Sequence, residues 1–98
     1  MILTTTNNIE GFKIIEYKGI VSGIGVNVQK MKMTFNIKKY YQGIGDSVEE
    51  VKEQAFQQLK TNAKLMNANA VVGIKIDIEL TTTNYVMVSI TGTAVNVA

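Results

Sequence analysis

The sequence contains no cysteine, histidine, proline or tryptophan, and all ten of its basic residues are lysine. Without cysteine the chain has no disulfide, no thiolate nucleophile and no thiolate zinc site. Without histidine it lacks the usual general base near neutral pH and the commonest metal ligand in proteins. These absences exclude hydrolases that depend on a histidine base or on an imidazole-bound zinc ion. We therefore expect a protein that is not an enzyme.

Charged residues are also scarce, at 18% of the chain, against ~25% in an average soluble domain. Hydrophobic residues make up 46%, so a single copy would leave apolar surface in water, which favours self-association. The 98 residues have room for one domain, 1–98, with a modest core. The N-terminus has no basic segment before an apolar core, and no run of ~18 apolar residues occurs, so we expect a cytoplasmic location and no membrane contact.

A capped amphipathic helix is predicted over residues 47–66. Ser47 and Glu50 form a capping box, in which a hydroxyl and a carboxylate satisfy two free backbone amides at a helix start. Apolar residues then recur every three or four positions, which is typical of a helix that covers a sheet with one face. This stripe consists of Val48, Val51, Ala55, Leu59, Ala63, Met66 and Ala70. Asn67 stands where a residue in the left-handed conformation ends a helix.

Two alternating segments follow the helix and predict an antiparallel hairpin. In residues 70–80, Val72, Ile74, Ile76, Ile78 and Leu80 share one face of a strand, while Lys75, Asp77 and Glu79 share the other. Residues 85–95 alternate in the same way. The helix, ~30 Å long, matches the first strand, ~33 Å long, so we expect the two to lie side by side.

The first half of the chain is less clear. Residues 13–22 are rich in β-branched and aromatic side chains and predict a strand. Residues 24–45 fit a strand and a helix equally well, and Gly43 and Gly45 mark a turn before the helix. The expected fold is a two-layer α+β domain, an antiparallel sheet covered on one face by one long helix.

Three blocks of the sequence resemble the YbjQ family, a functionally uncharacterised bacterial group labelled as heavy-metal-binding. They are MILTTTNNIEGFKIIEYKGIVSG (1–23), ANAVVGIKIDIE (68–79) and YVMVSITGTAV (85–95). The resemblance implies a small α+β subunit that assembles into a homo-oligomeric ring, usually a pentamer, in some relatives as two rings face to face. Relatives usually have an acidic residue after the Ser-Gly pair and an arginine in the turn before the helix. This chain has Ile24 and no arginine there.

The family label directs attention to metal ligands. Soft metals prefer thiolate, imidazole or thioether, and here only methionine offers one of these. Met31 and Met33 would place two thioethers on one side of a strand, which suits Cu(I) or Ag(I), although flexible methionines also fill cores and interfaces. Asp77 and Glu79 would hold Ca²⁺ or Mg²⁺ only with oxygen ligands from a partner chain. Pairing with Lys75 across strands is the alternative.

A basic segment is the third candidate site. Residues 18–45 contain five lysines and no acid, and lysine with tyrosine can bind phosphate and stack on bases. The candidate anion-binding residues are Lys30, Lys32, Lys38, Lys39, Tyr40 and Tyr41. The net charge is only +2 and arginine is absent, so solvated lysines or ion pairs with a neighbouring subunit are the favoured interpretation and nucleic acid is disfavoured as a partner.

These observations favour a homo-oligomeric assembly or small-ligand-binding protein, whose ligand would sit at subunit interfaces or in a pore. Metal binding and weak binding of anionic polymers are the alternatives. No motif for an organic cofactor is present, because GIVSGIG (19–25) lacks the Gly-Lys-Ser/Thr ending of a phosphate loop. Its glycines are better explained by a turn or bulge.

Overall fold

The computed structural model describes residues 1–28, 37–81 and 85–98, with side chains described for 1–26, 48–80 and 85–98. The described elements are β1 (Ile2–Leu3), β2 (Ile14–Val28), α1 (Ile37–Leu65), β3 (Ala70–Thr81) and β4 (Tyr85–Val97). The four strands form one sheet in the order β1-β3-β4-β2. β1 runs parallel to β3, whereas the other pairings are antiparallel. The α+β class is confirmed, and the sheet is mixed rather than purely antiparallel.

The helix packs against β2 and β4. The predicted apolar stripe is buried from Val51 to Ala63, and β4 contributes every second residue to the same core. The buried side chains of this core include Val51, Ala55, Leu59, Ala63, Val86, Val88, Ile90 and Ala94. Both periodicities read from the sequence are therefore confirmed where helix and sheet meet.

The start of the helix differs from the prediction. α1 begins at Ile37, so Ser47 lies inside the helix and does not cap it. Gly43 and Gly45, predicted to form a turn, also lie within α1. Inside a helix the backbone amides already bond to carbonyls four residues earlier, so the amides near Ser47 need no cap. The end of the helix agrees with the prediction to one residue.

Asn67 ends the helix as predicted. Its φ angle is 61°, which is the left-handed conformation that asparagine tolerates better than most residues. The Asn67 N–H donates to the carbonyl oxygen of Lys64 at 2.9 Å, and the Ala68 N–H donates to that of Ala63 at 3.1 Å. This pair of bonds is a Schellman motif and turns the chain directly into β3.

Two glycines bring the backbone of α1 onto β2. A Cβ atom at Gly23 would lie 2.7 Å from the backbone nitrogen of Leu59 and collide with the carbonyl oxygen of Ala55. A Cβ atom at Gly25 would collide with the carbonyl oxygen of Val51. The segment interpreted as a turn or bulge is thus mainly strand, although a register shift does occur between Tyr17 and Gly19.

Side chains of α1 also bind the outer edge of β2. The Ile24 N–H donates to Gln58 Oε1 at 2.6 Å, and Asn62 Nδ2 donates to the carbonyl oxygen of Ser22 at 2.8 Å. In an edge strand these backbone groups would otherwise face solvent or another strand. The helix therefore covers β2 from above and also occupies part of its edge.

A bulge in β3 joins the N-terminal segment to the sheet. The register against β4 shifts between Val72 and Lys75, and Gly73 has a φ angle of 61°. The Gly73 N–H donates to the carbonyl oxygen of Thr6 at 2.8 Å.

On the side of the sheet opposite α1, a second small core forms under the N-terminal segment. It contains Ala70, Val72, Val95 and Val97, with Ile2, Ile9 and Ile14 packed against it.

We expect Gly23→Ala to lower the free energy of unfolding by about 1–3 kcal/mol, because the new methyl group must push the helix backbone away from the strand. Ser22→Ala is the matched control. Its side chain is exposed, and we expect a change within about 0.5 kcal/mol. Urea unfolding followed by circular dichroism at equal protein concentration measures both. A Gly23→Ala variant as stable as the control would contradict the close helix–strand contact.

Candidate functional site

The helix leaves an apolar part of the sheet without cover. We call Ile76, Ile78 and Leu80 the uncovered stripe; their partners on β4 are Ile90, Val88 and Val86. Paired residues of neighbouring strands point to the same side of a sheet, so the stripe faces the helix side. The β4 partners are at most 2% exposed, whereas the stripe residues are 40%, 46% and 60% exposed. The stripe continues the core sideways into solvent.

This exposure corrects the prediction that α1 lies along β3. The matching lengths of helix and strand allowed such a packing. The helix instead packs closely on β2, because Gly23 and Gly25 have no side chains that would hold its backbone away. β3 lies beyond β4 in the sheet order. Only the part of β3 near the bulge, with Val71 and Ile74, belongs to the helix-side core.

The charged residues of β3 lie on the opposite side of the sheet, which we call the open face. Lys75, Asp77 and Glu79 are exposed there, as the alternation predicts. The ion pairs of the described residues join Lys18 to Glu16 at 2.8 Å and Lys52 to Glu49 at 3.3 Å, and neither involves this face. The predicted ion pair of Lys75 across strands is therefore not found among the described residues of a single copy.

The two carboxylates of the open face do not make a metal site by themselves. Asp77 and Glu79 are two positions apart on one strand, about 6–7 Å between Cα atoms. A Ca²⁺ ion takes about six to eight oxygen ligands. Within 1–28, 37–81 and 85–98, no three histidine, cysteine, aspartate or glutamate side chains come together to hold a metal. The requirement for oxygen ligands from another chain stays a prediction.

An apolar border runs along the other side of the open face. Ile20, Ile24 and Val26 of β2 are 83%, 51% and 41% exposed, and Ile24 and Val26 pair with Ser89 and Met87 of β4. The predicted strand ended at Ser22 and so missed two of the three border residues, Ile24 and Val26. The signal was present, because glycine and apolar residues alternate through residues 23–26.

The remaining predicted ligands fall largely outside the described part of the chain. Met31, Met33, Lys30 and Lys32 lie between β2 and α1, outside the described residues. Lys38, Lys39, Tyr40 and Tyr41 fall within the helix, which decides their backbone conformation, but their side chains are outside the described ones. The thioether site and the anion-binding site therefore stay predictions.

One carboxyl group has a shifted pKa. The Lys18 ammonium donates a hydrogen bond to Glu16, and this bond together with the lysine charge holds the pKa of the Glu16 carboxyl below its ordinary value. Glu16 is exposed and lies near the start of β2, so this ion pair is expected to add little to stability. No helix in the described ranges has the length and apolar character needed to cross a membrane.

Comparisons with known proteins give the family. A family model described as "putative heavy-metal-binding", YbjQ, matches residues 1–98. A protein named UPF0145 from Clostridium kluyveri is 42% identical, over 97% of this chain and 97% of that protein. Proteins with the same name from Acetivibrio thermocellus and Bacillus cereus are 40% and 36% identical, over at least 97% of both chains.

The fold has a counterpart among solved structures. The crystal structure of a protein of unknown function from Pediococcus pentosaceus, assigned to the DUF74 family, superimposes with a TM-score of 0.74. It covers 100% of this chain and 98% of its own, at 22% sequence identity. At this identity the likeness concerns the fold. The match over the whole chain and the similarity to the UPF0145 proteins show that this chain belongs to the YbjQ family.

Proposed function

We propose that this protein acts as a homo-oligomeric assembly without enzymatic activity, in which copies join through the apolar surface that the helix leaves open. The observation that carries the proposal is the uncovered stripe. Its three side chains adjoin residues of the core that are fully or almost fully buried. Contiguous apolar surface of this kind marks interaction sites in soluble proteins.

The stripe offers a useful amount of binding energy. Full burial of a leucine or isoleucine contributes about 1.5–3 kcal/mol relative to full exposure. The three side chains of the stripe are 40–60% exposed, so covering them would contribute about 2–4 kcal/mol per copy before the costs of association. That energy favours a contact between copies but is too small to hold a stable complex, so further surface must be buried as well.

A second apolar surface supports assembly into a closed ring. The border formed by Ile20, Ile24 and Val26 lies on β2 and on the open face, whereas the stripe lies on β3 and on the helix side. Two different surfaces on one copy allow head-to-tail contacts, which close into a ring when the rotation fits. This arrangement agrees with the pentamer that the family resemblance implies, and a small ligand would bind where copies meet.

Metal binding is the second candidate, and the description of the family model favours it. Within one copy Asp77 and Glu79 supply too few oxygen atoms for a hard cation. In an assembly, the same residues of neighbouring copies would add the missing ligands. A metal site of this type would therefore depend on self-association and would be lost together with it.

We expect the protein to form one multimeric species in native mass spectrometry at micromolar concentration, and Ile78→Lys to release smaller species because it places a charge in the stripe. Gln54→Lys is the control, since it adds the same charge on an exposed part of the helix and should leave the assembly intact. A wild-type spectrum that shows only the 10.8 kDa chain would end the proposal.

The two metal hypotheses separate in a titration. We expect Asp77→Asn with Glu79→Gln to abolish binding of Ca²⁺ or Mg²⁺ and to leave Cu(I) binding unchanged, because hard cations need carboxylate oxygen. Met31→Leu with Met33→Leu should have the opposite effect. Isothermal titration calorimetry of protein purified without an affinity tag measures the binding of both kinds of metal ion. If the wild-type protein takes up none of these metals, or Zn²⁺, metal binding is not its function.

A further inference from the structure

Two side chains of α1 cover part of the outer edge of β2. β2 is the last strand in the sheet order and pairs with β4 on one side. On its other side, the Ile24 N–H donates to Gln58 Oε1 at 2.6 Å, and Asn62 Nδ2 donates to the carbonyl oxygen of Ser22 at 2.8 Å. Ser22 and Ile24 lie two positions apart, so their outward backbone groups follow each other along this edge. The two bonds occupy positions at which a further strand would pair.

The spacing of the helix residues matches that of the strand residues. Gln58 and Asn62 are about one helical turn apart, about 6 Å along the helix axis, and Ser22 and Ile24 are about 6–7 Å apart on the strand. Gly23 lies between these two strand residues, and a Cβ atom there would collide with the helix backbone. Because the helix lies so close to β2, two amide side chains can reach the backbone groups of its edge.

The rest of β2 has few features that hinder the addition of a strand. It spans Ile14–Val28, and its charged residues, Glu16 and Lys18, both lie near its start. Proline, which like charge commonly blocks an edge strand, is absent from the chain. The apolar border lies on the uncharged part of β2, with its side chains 41–83% exposed. A long edge strand of this kind is a template for pairing.

The opposite edge of the sheet is open along half of β3. β1 pairs with β3 only at Ala70 and Val71, and the segment after β1 bonds to it as far as Ile74. From Lys75 to Thr81, no described residue pairs with β3 on the side away from β4. We call this half of β3 the free edge.

The backbone groups of the free edge point outward at known positions. The Ile74 N–H points away from β4, because it donates to the carbonyl oxygen of Thr4 at 3.1 Å. Successive residues of a strand direct their backbone groups alternately to the two sides, and no register shift follows Lys75. The N–H and C=O groups of the three stripe residues therefore also point to the free edge.

Pairing between these two edges would have no natural end. The edge of β2 and the free edge are different surfaces of one chain, so their pairing would be a head-to-tail contact. Each added copy would offer the same edge again, and a head-to-tail contact that does not close grows into a filament. A strand that approached β2 in this way would first have to displace Gln58 and Asn62.

We infer that Gln58 and Asn62 prevent β2 of one copy from pairing with the free edge of another copy. Contact between copies is thereby limited to side chains, which can close into a ring, and an open-ended sheet does not form. This role rests on the proposed self-assembly and names the two residues that keep the assembly finite. Both are positioning residues, because they act on the strand edge and touch no ligand.

Removal of both amides tests the inference. We expect Gln58→Ala with Asn62→Ala to lose the single multimer and to form filaments that lengthen with protein concentration. Electron microscopy and thioflavin T fluorescence detect such filaments. The matched control is Gln57→Ala with Thr61→Ala, which has the same spacing but removes bonds within the helix, from Gln57 to Glu53 and from Thr61 to the Gln57 carbonyl oxygen. The control should keep the multimer of the natural chain.

Two further variants separate edge cover from a general loss of stability. Gln58→Glu keeps an oxygen that can accept the Ile24 N–H, so we expect it to retain the natural multimer. Ile78→Pro, added to the double alanine variant, removes an outward N–H from the free edge and should abolish the filaments. Circular dichroism checks that each variant is folded. Gln58 is exposed, so Gln58→Ala alone provides the same test where the double variant does not fold.

The outcomes distinguish the edge cover from the assembly. If the natural chain is a multimer and the folded alanine variant keeps that size at every concentration, the inference fails and the proposed assembly stands. If the natural chain is a monomer but the alanine variant forms filaments, the proposed assembly fails and the edge cover stands. Filaments that form equally in the control variant, or that persist with Ile78→Pro, overturn the inference.

Discussion

Gly23 and Gly25 let the backbone of α1 lie directly on β2, because neither residue places a side chain between the helix and the strand. The contact fixes the position of the helix across the sheet, over β2 and β4. Gln58 and Asn62 strengthen it by bonding to the edge of β2. A helix held at this place cannot also cover the far half of β3, and the exposed surfaces of the protein follow from that.

The two edges of the sheet consequently have different properties. The β2 edge is partly occupied by helix side chains. On the β3 edge, the backbone groups beyond Ile74 have no pairing partner among the described residues, and the uncovered stripe lies there beside a row of charges. The N-terminal segment fills the β3 edge only up to Ile74. A chain with few charges, at 18% of its residues, thus exposes its apolar surface in defined places, which suits contacts with further copies better than random aggregation.

Sequence patterns predicted the elements better than their arrangement. The period of the helix stripe, the alternation in β4 and the left-handed Asn67 are local properties, and all three are confirmed. The predicted helix start at Ser47 was wrong because the residue pattern of a capping box can also occur inside a helix. The position of α1 over β2 depends on contacts between distant residues, which no local pattern contains. For the same reason, the charged face of β3 was predictable, but the exposure of Ile76, Ile78 and Leu80 was not.

The central claim is that copies of this chain cover the half of β3 that its own helix leaves open. Amide hydrogen exchange measured by NMR or mass spectrometry over a range of protein concentrations tests it most directly. The account predicts that the amides of Ile76 and Ile78, which point to the free edge, become protected as concentration rises, while those of Asp77 and Glu79, bonded to β4, stay protected throughout. Fast exchange at Ile76 and Ile78 at every concentration would contradict it.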